Sequence, residues 1–379
     1  MSLIMNILFI LIVKIIKSEI TKLALDYHTG TPFINVKIGN KTVYNMIFDT
    51  TLNRSLLSSP DCEICTREGY NVKDSIKILE NQTELKYHYI FYGDEYKDTA
   101  SISSNLNEFD FNFISFTNVS YASQVGTYGF FSLSFTNYNL NTSRRIFSLK
   151  YSSQFLYLYI GDINKEIITN ESLVKHYNVS FDENKTKWYL NAKKVLINNK
   201  NSSMNKSQKL ILDSSTNSFL IPKNFFFDNI DLIFPEEGNC QILMSGEFLC
   251  ECDENFKKKF GNFQFIIDDE ILFINVTDYI AFDSSITGSN CYASININYE
   301  NDYWYAGSTI LNNYYSIFDV DNNTLSLFNE HFDIETNAQF IITFTIVFLI
   351  SICIFFGGYM LYKKYVIDDD NDGPVNEVQ

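Results

Sequence analysis

The sequence predicts an all-β chain with a few short helices. From Thr31 to about Asp333 it consists of short runs rich in Ile, Val, Phe, Tyr and Thr, separated by Asn, Asp, Ser and Gly. Such runs are typical of strands joined by turns, and stretches with the 3.6-residue period of a long helix are hard to find. An apolar run ending in aspartate and hydroxyl residues also occurs twice, as MIFDTTLNRSLL and LILDSSTNSFLI. This echo suggests a duplicated structure in which each copy contributes one aspartate.

The individual elements follow from these runs. A short helix is expected near Lys223 to Asn229. With 379 residues the chain is long enough for two packed lobes, and its 34 Phe and 25 Tyr can fill cores of that size. The clearest predicted strands are, in chain order, FINVKIG, YNMIFD, YHYIFYG, FLYLYIG, WYLNAKKVLI, KLILDSS, FQFIID and EILFINV.

Both ends of the chain are apolar. Residues 1–18, MSLIMNILFILIVKIIKS, are predicted to be a signal peptide; an uncleaved signal anchor is the alternative, because the run begins without a basic residue. Residues 339–362 contain an uncharged stretch of roughly the 20 residues that a transmembrane helix requires. Two lysines follow it and place the tail, 363–379, in the cytoplasm. These features predict a single-pass type I membrane protein with a luminal or extracellular body, in the secretory pathway, a vacuole or at the cell surface.

The cysteines and the glycosylation sequons agree with a luminal or extracellular body. Six cysteines precede the apolar span, and an even number there suggests disulfides. Cys62 and Cys65 are spaced like half of a zinc site, but the other half is missing, so no metal is expected. The six cysteines are Cys62, Cys65, Cys240, Cys250, Cys252 and Cys291. About a dozen N-x-S/T sequons predict a glycoprotein, among them Asn81, Asn118, Asn141, Asn170, Asn178, Asn184, Asn201, Asn205 and Asn275.

Charge and histidine content exclude several function classes. The formal net charge of −16 argues against nucleic-acid binding, which needs basic patches. The four histidines are scattered, with neither a Gly-rich nucleophile turn nor an H-E-x-x-H helix around them. Serine hydrolase and zinc protease chemistry therefore have little support.

The flanks of the two aspartate runs carry a family resemblance. TPFINVKIGNKTVYNMIFDT leads into the first aspartate, and the close cysteine pair follows it. YHYIFYGDEYKD, GTYGFFSLSF, LILDSSTNSFLIP and WYAGSTILNNYYSIFDVDNNTLSLF come later in the chain. Together these segments resemble the pepsin-like aspartic proteases over nearly the whole region between the apolar ends. The resemblance implies a bilobal all-β fold, with lobes at 19–165 and 166–335 separated by a cleft.

The resemblance also implies roles for individual residues. Asp49 and Asp213 would form the catalytic dyad, while Thr50 and Ser214 would tie the two aspartate loops together through their hydroxyls. Tyr92 and Gly93 would belong to the flap, a hairpin that closes over the substrate. The implied disulfides are Cys62–Cys65, Cys240–Cys250 and Cys252–Cys291.

The chemistry of such a dyad needs only the two carboxyl groups. Two carboxylates a few ångströms apart cannot both ionise cheaply, so one of them keeps a proton. The charged member then activates a water, and the protonated member donates to the substrate carbonyl. We therefore expect a membrane-anchored aspartic endopeptidase that takes a peptide or protein substrate, needs no cofactor and is monomeric.

Several positions depart from the family pattern. Thr51 and Ser215 stand where the motif has glycine in each lobe, and Ser132 replaces the first lobe's inner glycine, whereas Gly307 is retained in the second lobe. The predicted flap tip reads Asp94 to Tyr96, which adds bulk and negative charge. The supporting loop would then consist of Thr50, Thr51, Ser214 and Ser215.

These departures leave alternatives to an active enzyme. The first is a catalytically inactive pepsin-like glycoprotein that uses the cleft for binding. A purely structural surface glycoprotein is a further alternative, but it leaves the two aspartate runs unexplained. Because strand-like sequence begins soon after the predicted signal peptide, we also expect no long inhibitory pro-segment.

Overall fold

The computed structural model describes most of the region between the apolar ends. No helix in this part of the chain is long and apolar enough to cross a membrane. The predicted signal peptide, the predicted transmembrane span at 339–362 and the tail all lie outside the described residues. Those residues are 19–26, 30–86, 89–103, 106–120, 122, 126–138, 140–152, 154–202, 206–234, 240–242, 248–251, 260–282 and 290–329.

The first half of the described chain is built of strands, with one 3-10 turn at Val72–Asp74. The strands are β1 Glu19–Leu25, β2 Pro32–Ile38, β3 Lys41–Asp49, β4 Ser55–Ser58, β5 Ile76–Lys86, β6 Tyr89–Ser101, β7 Phe109–Val119, β8 Gly129–Ser132, β9 Ile146–Tyr151 and β10 Phe155–Ile160.

The second half adds further strands and some short helices. Its strands are β11 Lys175–Phe181, β12 Trp188–Ile197, β13 Lys200–Asn201, β14 Gln208–Leu212, β15 Phe219–Pro222, β16 Cys240–Ile242, β17 Phe248–Glu251, β18 Phe263–Ile267, β19 Glu270–Ile274, β20 Ile280–Phe282, β21 Asn290–Ala293, β22 Ile295–Asn298, β23 Tyr303–Ala306, β24 Tyr315–Asp319 and β25 Thr324–Phe328. Its helices are α1 Lys223–Asp228, α2 Ile230–Ile233, α3 Val276–Tyr279 and α4 Ser308–Leu311, with a 3-10 turn at Glu171–Leu173.

The prediction of an all-β chain with short helices is confirmed. Each of the eight runs singled out in the sequence lies mainly on a strand, and WYLNAKKVLI coincides with β12. The helix expected near Lys223 is α1. The boundary between the two predicted lobes stays a prediction.

The two halves repeat one strand arrangement around the two aspartates. β3 runs parallel to β8, and β4 pairs parallel with β7 and antiparallel with β8. In the second half, β14 runs parallel to β23, and β15 pairs parallel with β22 and antiparallel with β23. The repeated aspartate run in the sequence therefore corresponds to a repeated pattern of strand pairing in the structure.

A run of six antiparallel strands joins the halves. Its order is β1, β10, β9, β24, β25 and β11, so three strands come from each half. Phe147 on β9 stacks on Phe318 of β24, with ring centroids 4.4 Å apart. Trp188 is fully buried and packs edge-on against Phe318 and Phe135. Aromatic packing of this kind fixes where the two aspartate loops lie.

Candidate active site

Each predicted catalytic aspartate lies at the end of a buried strand. Asp49 is the last residue of β3, opposite Ser132 in the parallel β3–β8 pair. Asp213 directly follows β14, and its N–H donates to the carbonyl of Ala306 at 2.9 Å. Both aspartate side chains are 0% exposed. An ionised carboxylate buried this deeply needs hydrogen bonds or a counter-charge, and both are present.

The residues that replace the motif glycines bind the inner carboxylate oxygens. Thr51 donates to Asp49 Oδ1 from its N–H at 2.6 Å and from its hydroxyl at 2.8 Å, and the Leu52 N–H donates to the same oxygen at 2.9 Å. Ser215 donates to Asp213 Oδ1 from its N–H at 2.9 Å and from its hydroxyl at 2.7 Å. Neither replacement needs the left-handed backbone that favours glycine, since both residues have negative φ. The added side chains therefore supply one further donor to each carboxylate.

Thr50 and Ser214 connect the two aspartate loops. The Thr50 hydroxyl donates to the Leu212 carbonyl at 2.8 Å and accepts from the Ser214 N–H at 3.1 Å. The Ser214 hydroxyl in turn donates to the Phe48 carbonyl at 2.9 Å. These are the contacts that the family resemblance implies for this pair.

A lysine lies between the two aspartates, and the sequence did not point to it. Lys86 Nζ is 2.7 Å from Asp49 Oδ2 and 2.8 Å from Asp213 Oδ2. It also donates to the Thr51 hydroxyl at 2.7 Å. The Lys86 side chain is only 6% exposed. One ammonium nitrogen thus reaches the outer oxygen of both carboxylates, so the two aspartates converge on a single point in space.

The charges around this point reinforce one another. Burial alone would raise the pKa of Asp49, but the Lys86 ammonium and the N–H groups of Thr51 and Leu52 outweigh it and lower that pKa from its ordinary value of 3.8. Burial alone would lower the pKa of Lys86, but Asp213 and Asp49 reverse this effect and raise it. The ammonium and the Asp49 carboxylate are therefore both charged at neutral pH.

The hairpin of β5 and β6 carries Lys86 to the dyad. Successive residues of a strand point to opposite faces, so Gln82, Glu84 and Lys86 share one face of β5. All three meet the loop after Asp49: Arg54 donates to Gln82 at 3.3 Å, the Asn53 N–H donates to Glu84 at 3.1 Å, and Lys86 binds the dyad.

The hairpin differs from the predicted flap. β5 ends at Lys86 and β6 begins at its partner Tyr89, and the predicted tip at Asp94 to Tyr96 is wrong because those residues lie within β6. Tyr92 pairs with Thr83 and is 40% exposed, on the face opposite to that of Lys86. In this conformation Tyr92 does not cover the dyad. The neighbouring Gly93 lies against β7, where an added Cβ would come 2.0 Å from the Ser115 carbonyl oxygen.

The other departures from the family pattern are accommodated locally. Ser132 donates from its hydroxyl to the Leu52 carbonyl, and its N–H donates to the Ser55 hydroxyl at 3.0 Å. Gly307 lies at the corresponding place in the second half, where a Cβ would come 2.5 Å from the Ser218 carbonyl oxygen. The serine is thus tolerated at one site, and the second site requires the glycine.

The cysteines form disulfides. Cys62 is bonded to Cys65, and Cys240 to Cys250, as the resemblance implied. Cys291 is disulfide-bonded as well, while Cys252, its predicted partner, lies outside the described residues. Disulfides form and persist in oxidising compartments, such as the secretory lumen.

Comparison with known proteins agrees with this geometry. The family model described as eukaryotic aspartyl protease matches residues 32–329. The chain belongs to the eukaryotic aspartyl protease family. No curated protein matches the chain.

The match to the aspartyl protease family spans both halves of the described fold. It begins at Pro32, the first residue of β2, and extends just past β25, so it includes both aspartates and the hairpin. At the level of the family, the chain is an aspartic-type peptidase with a peptide substrate. Among the described residues, no group of three or more His, Cys, Asp or Glu side chains is placed to hold a metal ion.

Proposed function

We propose that the protein is an aspartic endopeptidase that hydrolyses peptide bonds through Asp49, Asp213 and an activated water. The observation that supports this proposal is the convergence of the outer oxygens of both carboxylates on one point, 2.7 and 2.8 Å from Lys86 Nζ. A water at that point would contact both oxygens. With one carboxyl protonated, the charged one accepts a proton from the water, and the other donates to the scissile carbonyl.

The surrounding residues support the same chemistry. Thr51 and Ser215 bind only the inner oxygens, which leaves the outer ones directed at the shared point. Thr50 and Ser214 hold the two loops together through buried hydrogen bonds. The carboxylates are therefore preorganised before substrate binds.

A second candidate is a catalytically inactive pepsin-like glycoprotein that binds peptides in the cleft without cleaving them. Lys86 favours it, because its ammonium occupies the point where the water would bind. The acid–base mechanism also needs one protonated carboxyl, and a neighbouring cation favours two ionised ones. Hydrolysis therefore requires that Lys86 leave the dyad.

The test compares the full-length, detergent-solubilised protein with Asp49→Asn and Asp213→Asn, on an unfolded protein substrate between pH 3 and 6. We expect the wild type to cleave, and each variant to lose at least about 100-fold in rate, since each removes one acid–base group. Equal rates in all three proteins would reject the dyad. For the inactive candidate, the expected result is no cleavage at any pH, together with an Asp49-dependent rise in melting temperature when a transition-state mimic binds.

We also propose that the enzyme is a glycoprotein anchored by one C-terminal helix, with its body in the lumen or outside the cell. The apolar stretch within 339–362, followed by two lysines, supports the anchor. The disulfides support the compartment. The sequons within the described residues support glycosylation, since Asn81, Asn118, Asn141, Asn170, Asn178, Asn184, Asn201 and Asn275 are all exposed.

Alkaline carbonate extraction of membranes tests the anchor. The full-length protein is expected in the pellet, and a variant that ends at residue 335 in the supernatant. Glycosidase treatment of the pelleted protein should lower its apparent mass. Release of the full-length protein by carbonate would overturn the anchor, and an unchanged mass would overturn the glycosylation.

A further inference from the structure

We infer that Lys86 is an intramolecular inhibitor: a cation carried on the β5–β6 hairpin that fills the water position of the dyad at neutral pH and leaves it in acid. This inference rests on the proposed function and adds a mechanism of regulation to it. The inhibitory group belongs to the body of the enzyme, so no separate pro-segment is needed to keep the dyad closed.

Lys86 excludes the water sterically. Its Nζ lies at hydrogen-bonding distance from Asp49 Oδ2 and Asp213 Oδ2, at 2.7 and 2.8 Å. A water that bridges the same two oxygens would need contacts of the same length, so it would occupy the same volume. The third contact, from Lys86 to the Thr51 hydroxyl at 2.7 Å, holds the ammonium in place. Thr51 replaces a motif glycine, so this departure from the family pattern provides a binding partner for the inhibitory lysine.

Lys86 also sets the wrong protonation state for catalysis. Two neighbouring carboxyl groups normally share a proton because their charges repel. A cation between them offsets that repulsion and favours the ionised form of Asp49, so the proton that the general acid needs is not retained there. The ammonium therefore blocks the chemistry as well as the space.

The hairpin allows Lys86 to leave without disturbing the core. Within the described residues β5 pairs only with β6, and its side chains Ile76, Ile78 and Leu85 are exposed. Its inner face meets the aspartate loops through polar contacts: Gln82 with Arg54, Glu84 with Asn53, and Lys86 with the dyad. Moving β5 away from the aspartate loops breaks hydrogen bonds and ion pairs that water can replace.

The charged groups around Lys86 determine how it responds to pH. Besides the two aspartates, Lys187 interacts with Lys86 and has a pKa lowered by burial and by that lysine. Glu84 lies on the same face of β5, and burial raises its pKa to about 7. Tyr151 and Tyr305 also interact with Asp213, and burial raises the pKa of both, so they stay neutral across the acid range.

Asp49 is the dyad member that Lys86 holds in its charged form. Because Lys86 lowers the pKa of Asp49, that carboxylate is ionised and the ion pair is intact at neutral pH, and both are lost only when the solution becomes acidic. Protonation of one aspartate then removes one of the two charges that hold the ammonium, and it supplies the proton that the mechanism needs.

The test uses Lys86→Met, which keeps an unbranched side chain of similar length and removes its charge. Cleavage of an unfolded protein is measured from pH 3 to 7 with the full-length, detergent-solubilised enzyme. At pH 6 we expect Lys86→Met to cleave at least about tenfold faster than the wild type, and at pH 3 to differ from it by less than about threefold. Without the ammonium, the dyad keeps its shared proton at higher pH.

Lys77→Met is the matched control. Lys77 lies on the same strand but forms its ion pairs with Glu80 and Asp94, away from the dyad, so this variant should follow the wild-type pH profile. The double variant Asp49→Asn, Lys86→Met should be inactive throughout. Lys86→Gln provides a second uncharged variant if Lys86→Met does not fold.

Binding of a transition-state mimic provides a readout besides hydrolysis. A peptide with a hydroxyl at the tetrahedral centre should raise the melting temperature of Lys86→Met more than that of the wild type at pH 6, and equally at pH 3. Identical pH profiles in both assays, with both proteins active, would overturn the inhibitory role and leave the proposed function intact. If both folded proteins fail to cleave at every pH, the proposed function fails, and equal binding of the mimic at pH 6 would then reject the role of Lys86 independently.

Discussion

Thr51 and Ser215 show how a side chain can replace glycine beside a catalytic carboxylate. Each keeps the N–H that binds the inner carboxylate oxygen and adds a hydroxyl donor to it. The cost of the extra Cβ is small here because neither residue needs a positive φ. The Thr51 hydroxyl also accepts from Lys86, so the same substitution that supports Asp49 stabilises the closed dyad.

Glu84 is a second residue whose environment matters, because its burial makes the stability of the fold depend on pH. Burial raises its pKa to about 7, although the Asn53 N–H and Arg54 act in the opposite direction. An acid whose pKa is higher in the folded than in the unfolded state binds more protons when folded, between its ordinary value of 4.5 and about 7. Stability therefore falls as the pH rises through that window.

We expect Glu84→Gln to remove this loss of stability at rising pH. Glutamine can still accept from the Asn53 N–H, so the contact is kept without the buried charge. The free energy of unfolding of the variant, relative to the wild type, should increase by about 2 kcal/mol between pH 5 and pH 8, as measured by urea titration at both values. Glu80→Gln is the control, since Glu80 is an exposed glutamate of the same strand. Parallel pH dependence in the wild type and Glu84→Gln would contradict the assignment.

At the scale of the elements, the β5–β6 hairpin combines two different surfaces. Its inner row, Gln82, Glu84 and Lys86, is polar and meets the aspartate loops, whereas Leu85 on the opposite face is exposed. β6 anchors the hairpin through a long pairing with β7. The attachment of the hairpin to the fold thus depends on β6, and its contact with the dyad depends on β5.

Gly93→Ala should weaken that attachment. The new methyl group would lie 2.0 Å from the Ser115 carbonyl oxygen and 2.7 Å from Phe116 Cα, both backbone atoms of β7. Because β7 has to shift, we expect a loss of roughly 2–3 kcal/mol in the free energy of unfolding. Denaturant titration of the wild type and the variant measures this loss in the free energy of unfolding.

Gly126→Ala is the matched control for this change. Gly126 is exposed, and among the described residues the atom nearest to an added Cβ is the Thr66 hydroxyl oxygen at 4.0 Å. Its stability should stay within about 0.5 kcal/mol of the wild type. Equal losses in both variants would show that the close approach of β6 and β7 is not the cause.

At the scale of the whole molecule, the dyad depends on contacts between distant parts of the chain. Trp188 Nε1 donates to the Thr50 carbonyl at 2.8 Å, and Thr50 contacts Ser214 and Leu212 of the other half. The six-stranded run joins the halves through β9 and β24. Elements far apart in sequence therefore fix the separation of the two carboxylates.

The strands and the aspartates could be predicted from local sequence. β-Branched and aromatic runs identify strands without knowledge of their partners, and the paired runs around Asp49 and Asp213 stand out by their repetition. The flap was only partly predictable: the hairpin was expected in the right region, but the sequence motif placed its tip within β6. Register depends on cross-strand packing and turn geometry, which a short motif does not fix.

The sequence by itself determined the strand-rich architecture, the two candidate aspartates and the hydroxyl residues that follow them, because each rests on local composition and spacing. Only the tertiary structure decided what lies between the aspartates. Lys86 is an unremarkable residue in its own strand, and it reaches the dyad because the register of β5 with β6 sets its face and the pairing of β6 with β7 sets its position. Those pairings join residues far apart in the chain, and they bring a cation to the point where a water would bind.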